Sequence, residues 1–143
     1  MTLPALDTLR EIVRVAAREE LMPLFADVIR HIKHDGSIVT EADVAMQKRV
    51  QTDLARHWPE YDFLGEEMPG HEHEQLTAGG QGLWCVDPLD GTSNFATGIP
   101  YFAVSLALII NGRQELGMVY DPVRAVAVLY GGLNQDTNLT ALA

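Results

Sequence analysis

The chain has 143 residues, 47% apolar and 21% charged, with a formal net charge of −10 from 20 acidic and 10 basic residues. That length supports one domain with its own core, and the composition is ordinary for a soluble globular protein. The acidic excess excludes the basic surface a nucleic-acid polymer needs, and the longest apolar run, Phe102 to Ile110 with Ser105 inside it, is shorter than the roughly 18 residues of a membrane span.

Leu6, Leu9, Ile12, Val13 and Ala16 recur at three- and four-residue steps and predict an amphipathic helix. Pro23 should interrupt it. Leu24, Phe25, Val28, Ile29 and Ile32 resume the spacing and predict a second helical piece before the Asp35-Gly36 turn. Ile38 to Thr40 reads as extended, with Thr40 as the N-cap of a helix from Glu41 to about His57 that carries Asp43 in its acidic first turn. Its apolar face is Ala42, Ala45, Met46, Val50 and Leu54, and Pro59 ends it.

Tyr61 to Leu64 is a short strand leading into Gly65-Glu66-Glu67, and Met68 to Gly82 reads as an exposed loop. His71 and His73 lie there beside Glu72 and Glu74, and we read them as a solvated face rather than a metal cluster. Leu83 to Val86 is a buried strand, with Trp84 as core and Cys85 as an inert thiol, and Asp87 to Asn94 a turn-rich loop. A lone cysteine forms no internal disulfide, which fits a reducing compartment. The start also lacks the layout of a signal peptide, so the expected location is cytoplasmic. Tyr101 to Asn111, Glu115 to Tyr120 and Ala125 to Tyr130 form an antiparallel meander, turned at Asn111-Gly112 and Asp121-Pro122. From Asn134 to Ala143 nothing is expected to extend the sheet.

The chemistry concentrates in Trp84-Cys-Val-Asp87-Pro-Leu-Asp90-Gly-Thr92-Ser-Asn94-Phe95. Pro88 biases Asp87 toward extended backbone and can hold both aspartates on one side of a rigid turn. Gly91 permits a left-handed conformation, and Thr92, Ser93 and Asn94 are each plausible N-caps for a helical turn whose free N–H groups would suit a phosphate. With Glu66 and Glu67 at a strand end, these are the hard oxygen donors that Mg²⁺ takes, and no Cys or His accompanies them to favour zinc. As structure alone, Asp-Pro and Asp-Gly are common turn dipeptides with surface acids.

The joint pattern resembles the inositol monophosphatase family. The signature Trp-x-x-Asp-Pro-x-Asp-Gly-Thr-x-Asn-Phe is matched from Trp84 to Phe95. The Gly-Glu-Glu element is matched at Gly65 to Glu67, the Val-Thr-x-x-Asp element at Val39 to Asp43 after Lys33, and Phe-Ala-Val-Ser at Phe102 to Ser105. The resemblance implies an α+β, layered sugar-phosphatase-like fold. The chain would be a single partial domain (1–143) of amino-terminal helices and the first antiparallel sheet, with the carboxy-terminal half missing.

By the same resemblance, Glu66, Asp87 and the Leu89 carbonyl would hold one Mg²⁺, and Asp87 and Asp90 a second. Gly91 and Thr92 would offer N–H groups to the substrate phosphate, with Leu89 and Asp90 beside it. The Thr92 hydroxyl, paired with Asp43, would orient the attacking water, with Glu66 in the catalytic set. Glu67 and Lys33 would stand behind the metal ligands.

The implied activity is a phosphomonoesterase for inositol monophosphate. Alternatives are a 3′-phosphoadenosine-type nucleotidase, a histidinol-phosphate phosphatase or an inactive remnant. The implied partner is a small phosphorylated substrate, with no membrane or nucleic acid, and a homodimer is possible in the full-length form. The family's Trp-Asp-x-Ala-Ala-Gly element is absent, so the isolated chain is expected to show little activity and to aggregate.

Overall fold

The computed structural model describes residues 3–27, 30–35, 38–71, 81–131 and 140–142. Helix α1 spans Leu6–Ala16 and buries Leu6, Leu9, Ile12, Val13 and Ala16, the stripe its spacing predicts. It widens into a π-helical turn at Ala17–Leu21 and tightens into a 3₁₀ turn at Met22–Leu24 that contains Pro23. Among the described residues the expected second helical piece does not form. Ala26 takes a left-handed backbone and donates its N–H to the Phe95 carbonyl at 3.1 Å, diverting the chain. Phe25, whose spacing suggested a helix, instead packs its ring against Phe95 and Phe102, at centroid distances of 5.7 and 5.3 Å. Strand β1 follows at Arg30–Ile32 and pairs antiparallel with β2, Ile38–Thr40, while Val28, Ile29 and Gly36 lie outside the described residues.

Helix α2 runs Glu41–His57 with Thr40 as its extended N-cap and buries Ala42, Asp43, Met46, Val50 and Leu54. Ala45 sits half-buried at the margin of that face.

Six strands form the main sheet in the order β3-β4-β5-β6-β7-β8. They are β3 (Asp62–Gly65), β4 (Leu83–Asp90), β5 (Ala103–Ile110), β6 (Arg113–Asp121), β7 (Val126–Gly131) and β8 (Thr140–Leu142). From β4 to β8 every pair is antiparallel, and Asn111 and Gly112, both with positive φ, make the tight turn between β5 and β6.

Three features depart from the sequence reading. β3 pairs parallel to β4, so the sheet is mixed rather than antiparallel throughout. β4 continues through Asp90 instead of ending at Val86, with a register shift between Asp87 and Asp90 that accommodates Pro88, which has no N–H to give to the ladder. β8 adds a strand beside β7, a segment too short to reveal a period in sequence. Most of the loop expected from Met68 to Gly82 lies outside the described residues, including Glu72, His73 and Glu74, whereas His71 is exposed.

Helices α1 and α2 cover one face of the sheet. The core contains Leu9, Val13, Met46, Val50 and Leu54 from the helices and Trp84, Val104, Leu108, Leu116 and Leu129 from the strands. The alternate strand residues, among them Cys85, Ala107, Gly117 and Val128, stay half-buried around an open cavity of about 550 Å³ on the other face. No helix of the described residues is long and apolar enough to cross a membrane.

Candidate functional site

At the end of β4 the backbone turns through Gly91, left-handed at φ 93°, into a short helix α3, Thr92–Thr97. Gly91, not the three polar residues after it, is therefore the N-cap. A Cβ at Gly91 would stand 3.0 Å from the Tyr101 carbonyl oxygen, so close approach as well as torsion requires glycine. Asn94 ties the turn to the following loop, its Nδ2 donating to the Tyr101 carbonyl at 2.8 Å.

Asp43 reaches this turn from the start of α2. It is 1% exposed and fully engaged. Its Oδ2 accepts from the Thr40 N–H at 2.9 Å, which with the Asp43 N–H donated to the Thr40 side chain makes a capping box, and also from the Thr40 hydroxyl at 2.6 Å. Its Oδ1 faces Thr92, whose hydroxyl lies 2.8 Å away and also 3.1 Å from the Leu89 carbonyl. A hydroxyl has one proton and two lone pairs, so with its proton turned to Asp43 the Thr92 oxygen is left as an acceptor.

Lys33, Glu66, Glu67, Asp87, Leu89, Asp90, Gly91 and Thr92 line one cleft of about 310 Å³. These are all the expected ligand and phosphate positions together with both supporting residues. Asp43 stands behind Thr92 rather than in the lining. Lys33 Nζ pairs with Glu67 Oε2 at 2.8 Å. Burial alone would lower the Lys33 ammonium, but the hydrogen bond to Glu67 and the charges of Glu67, Glu66 and Asp43 outweigh it and hold it above its usual value.

Burial pushes the Asp87 carboxyl up to about 7, aided by the Glu66 carboxyl, which shares a hydrogen bond with it, and opposed by the Leu89 N–H at 3.2 Å. Among the described residues no three Asp, Glu, His or Cys side chains are drawn into one metal-holding group. Uncompensated carboxylates repel, yet the Glu66 and Asp87 carboxyls approach closely enough to share a hydrogen bond, with the Asp90 charge adding to the strain. The donors around the pair are oxygens, the set that suits magnesium.

One contributor escaped the sequence reading, and a second was read for only part of its role. Gln47 accepts the Glu67 N–H at 2.8 Å and so fixes the Gly65–Glu67 turn. It stands four residues after Asp43 on the same side of α2, the only sequence signal it gave. Thr40 was expected to cap a helix, but its hold on the Asp43 carboxylate was readable only as a Thr-x-x-acid capping pattern.

The family model described as "Inositol monophosphatase family" matches residues 4–140. Inositol monophosphatase 1 of Solanum lycopersicum is 37% identical over 108 residues, 73% of this chain and 38% of that protein. Nus factor SuhB of Pseudomonas aeruginosa is 44% identical over 86 residues, 60% of this chain and 31% of that protein. The IMPase of Thermotoga maritima superposes with a TM-score of 0.80 at 28% identity, over 95% of this chain and 50% of that one. The chain thus matches about a third of the length of its curated relatives and half that of this solved neighbour. With the fold, the ordered motifs and the family model in agreement over nearly all of its residues, the chain belongs to the inositol monophosphatase family.

Proposed function

We propose that this chain forms the metal- and phosphate-binding part of a Mg²⁺-dependent phosphomonoesterase acting on inositol monophosphate or a similar small phosphate ester. The observation that carries the reading is the 2.8 Å contact between the Thr92 hydroxyl and the buried Asp43 carboxylate, at the edge of a cleft lined by Glu66, Asp87 and Asp90. Glu66, Asp87 and the Leu89 carbonyl would hold one magnesium ion, and Asp87 with Asp90 a second. When bound, magnesium supplies charge neutralisation for the phosphate and a more acidic water.

The chain's own groups do the rest. Asp43, pinned by Thr40, keeps the Thr92 proton on its own side, which leaves the Thr92 oxygen to accept a hydrogen bond from a water and so aim it. Gly91 and Thr92 begin a helical turn and would present N–H groups to the phosphate oxygens. Lys33 neutralises Glu67 and stays protonated at the rim.

A solved neighbour named as an IMPase/NADP phosphatase complexed with Mg²⁺ and phosphate, 25% identical with a TM-score of 0.72, supports the metal assignment. Its name also keeps a nucleotide substrate open.

The test is Mg²⁺-dependent phosphate release, assayed together with the remaining length that the relatives share. Thr92→Ala and Asp43→Asn should each lower kcat by about 10²–10³-fold, and the double variant no further, because the two act as one unit. Losses that multiply would sink the reading.

A further inference from the structure

Helix α2 reaches the site at two points. Asp43 in its first turn holds Thr92, and Gln47, one turn later on the same side, holds the turn that carries Glu66. Gln47 Oε1 accepts the Glu67 N–H at 2.8 Å. The same side chain lies against Gly65, where an added Cβ would stand 2.9 Å from Gln47 Cγ and closer still to its amide. Gly65 ends β3 as a buried residue and does not take left-handed backbone. What keeps a side chain out of this position is therefore Gln47, not torsion.

The consequence falls on Glu66. It is exposed, so its place is set chiefly by its backbone, and it faces Asp87, a like charge that repels it once both ionise. On one flank the Glu66 N–H donates to the Val86 carbonyl at 3.1 Å, which ties it to the strand of Asp87. On the other flank the Glu67 N–H is held from α2 by Gln47. Lys33 grips the Glu67 side chain and leaves this backbone to Gln47. A metal ligand has to be held within about 0.5 Å of its productive place by the residues behind it. We propose that Gln47 is a positioning residue for Glu66: its amide, seated on Gly65, clamps the Gly65–Glu67 turn so that Glu66 stands opposite Asp87 for a divalent cation. The inference rests on the phosphatase reading, in which Glu66 and Asp87 share a magnesium ion, and it adds a residue that lies outside the lining of that cleft.

The experiment pairs two readouts on the chain: amide exchange of the Glu67 N–H by NMR without metal, and calorimetric titration of Mg²⁺ in the presence of phosphate. Gln47→Met keeps a good helix former of similar bulk but has no strong acceptor. It should speed the Glu67 exchange and weaken Mg²⁺ binding about tenfold. Gln47→Glu keeps an acceptor oxygen and should restore both to near the wild-type values. Gly65→Ala pushes the Gln47 amide aside, so it should reproduce the Gln47→Met loss, and the double variant should bind no more weakly than either single one. Wild-type Mg²⁺ affinity in Gln47→Met would overturn the proposal. So would a weakened affinity with unchanged Glu67 exchange, an equal loss in Gln47→Glu, or losses that multiply in the double variant. Failure of the wild type to bind Mg²⁺ would sink the phosphatase reading and this inference with it, whereas binding indifferent to Gln47 sinks the inference alone.

Discussion

Asp43 illustrates how one side chain can serve two ends. It closes the first turn of α2 through Thr40 and anchors Thr92 from 49 positions away. Replacing it by alanine removes the capping box and strands the buried Thr40 hydroxyl, while the Thr92 hydroxyl keeps the Leu89 carbonyl as an acceptor. We expect Asp43→Ala to lower stability by about 2–3 kcal/mol in urea denaturation, and Asp43→Asn by less.

Asp87 gives a pH dependence of defined sign. Its folded carboxyl is raised to about 7 from an ordinary 3.8, so folding favours its protonated form. The metal-free chain should therefore lose stability as pH rises through the window from about 4 to 7 and level off above it. Asp87→Asn should flatten that slope, as chemical denaturation in chelator would reveal. The acidic and Gly-Thr positions of this site were legible in sequence because the long signature carries them. The Asp43–Thr92 pairing was legible only through the resemblance, since no local spacing links residues that far apart, and Gln47 was invisible because a mid-helix glutamine has no distinctive chemistry.

Between elements, the turn from β4 to α3 is the critical joint. Gly91→Ala must force a side chain into left-handed backbone against the Tyr101 carbonyl, which should cost about 1–3 kcal/mol and displace Thr92. Melting temperature and phosphate affinity should fall together. Helix α2 and the β5–β6 hairpin were readable because a capping threonine, a terminal proline and an Asn-Gly turn state their boundaries locally. The segment after Pro23 was not, because Phe25 serves an aromatic cluster with Phe95 and Phe102 rather than a helix stripe. The parallel pairing of β3 was hidden for a related reason: direction is set by the tertiary path, not by the four residues of the strand.

For the molecule as a whole, stability rests on the single core between the helices and the sheet. Leu9 is 0% exposed within it, and Leu9→Ala should cost about 2–5 kcal/mol through lost burial and the cavity left behind. The other sheet face presents Val119 and Tyr130, 49% and 46% exposed, around its open cavity. Such a patch favours association. Val119→Lys with Tyr130→Lys should reduce light scattering at a given concentration without shifting the unfolding midpoint. Cys85 on the same face has its thiol pushed up by burial, so thiol-reactive dye should label it more slowly at neutral pH than a free cysteine.

Calorimetric titration of Mg²⁺ into the chain in the presence of phosphate, compared between wild type and Asp87→Asn, tests the central assignment most directly. If Glu66, Asp87 and Asp90 form the ion site, the wild type gives a saturable heat and the variant binds about tenfold or more weakly. Equal affinity in the two proteins would contradict it.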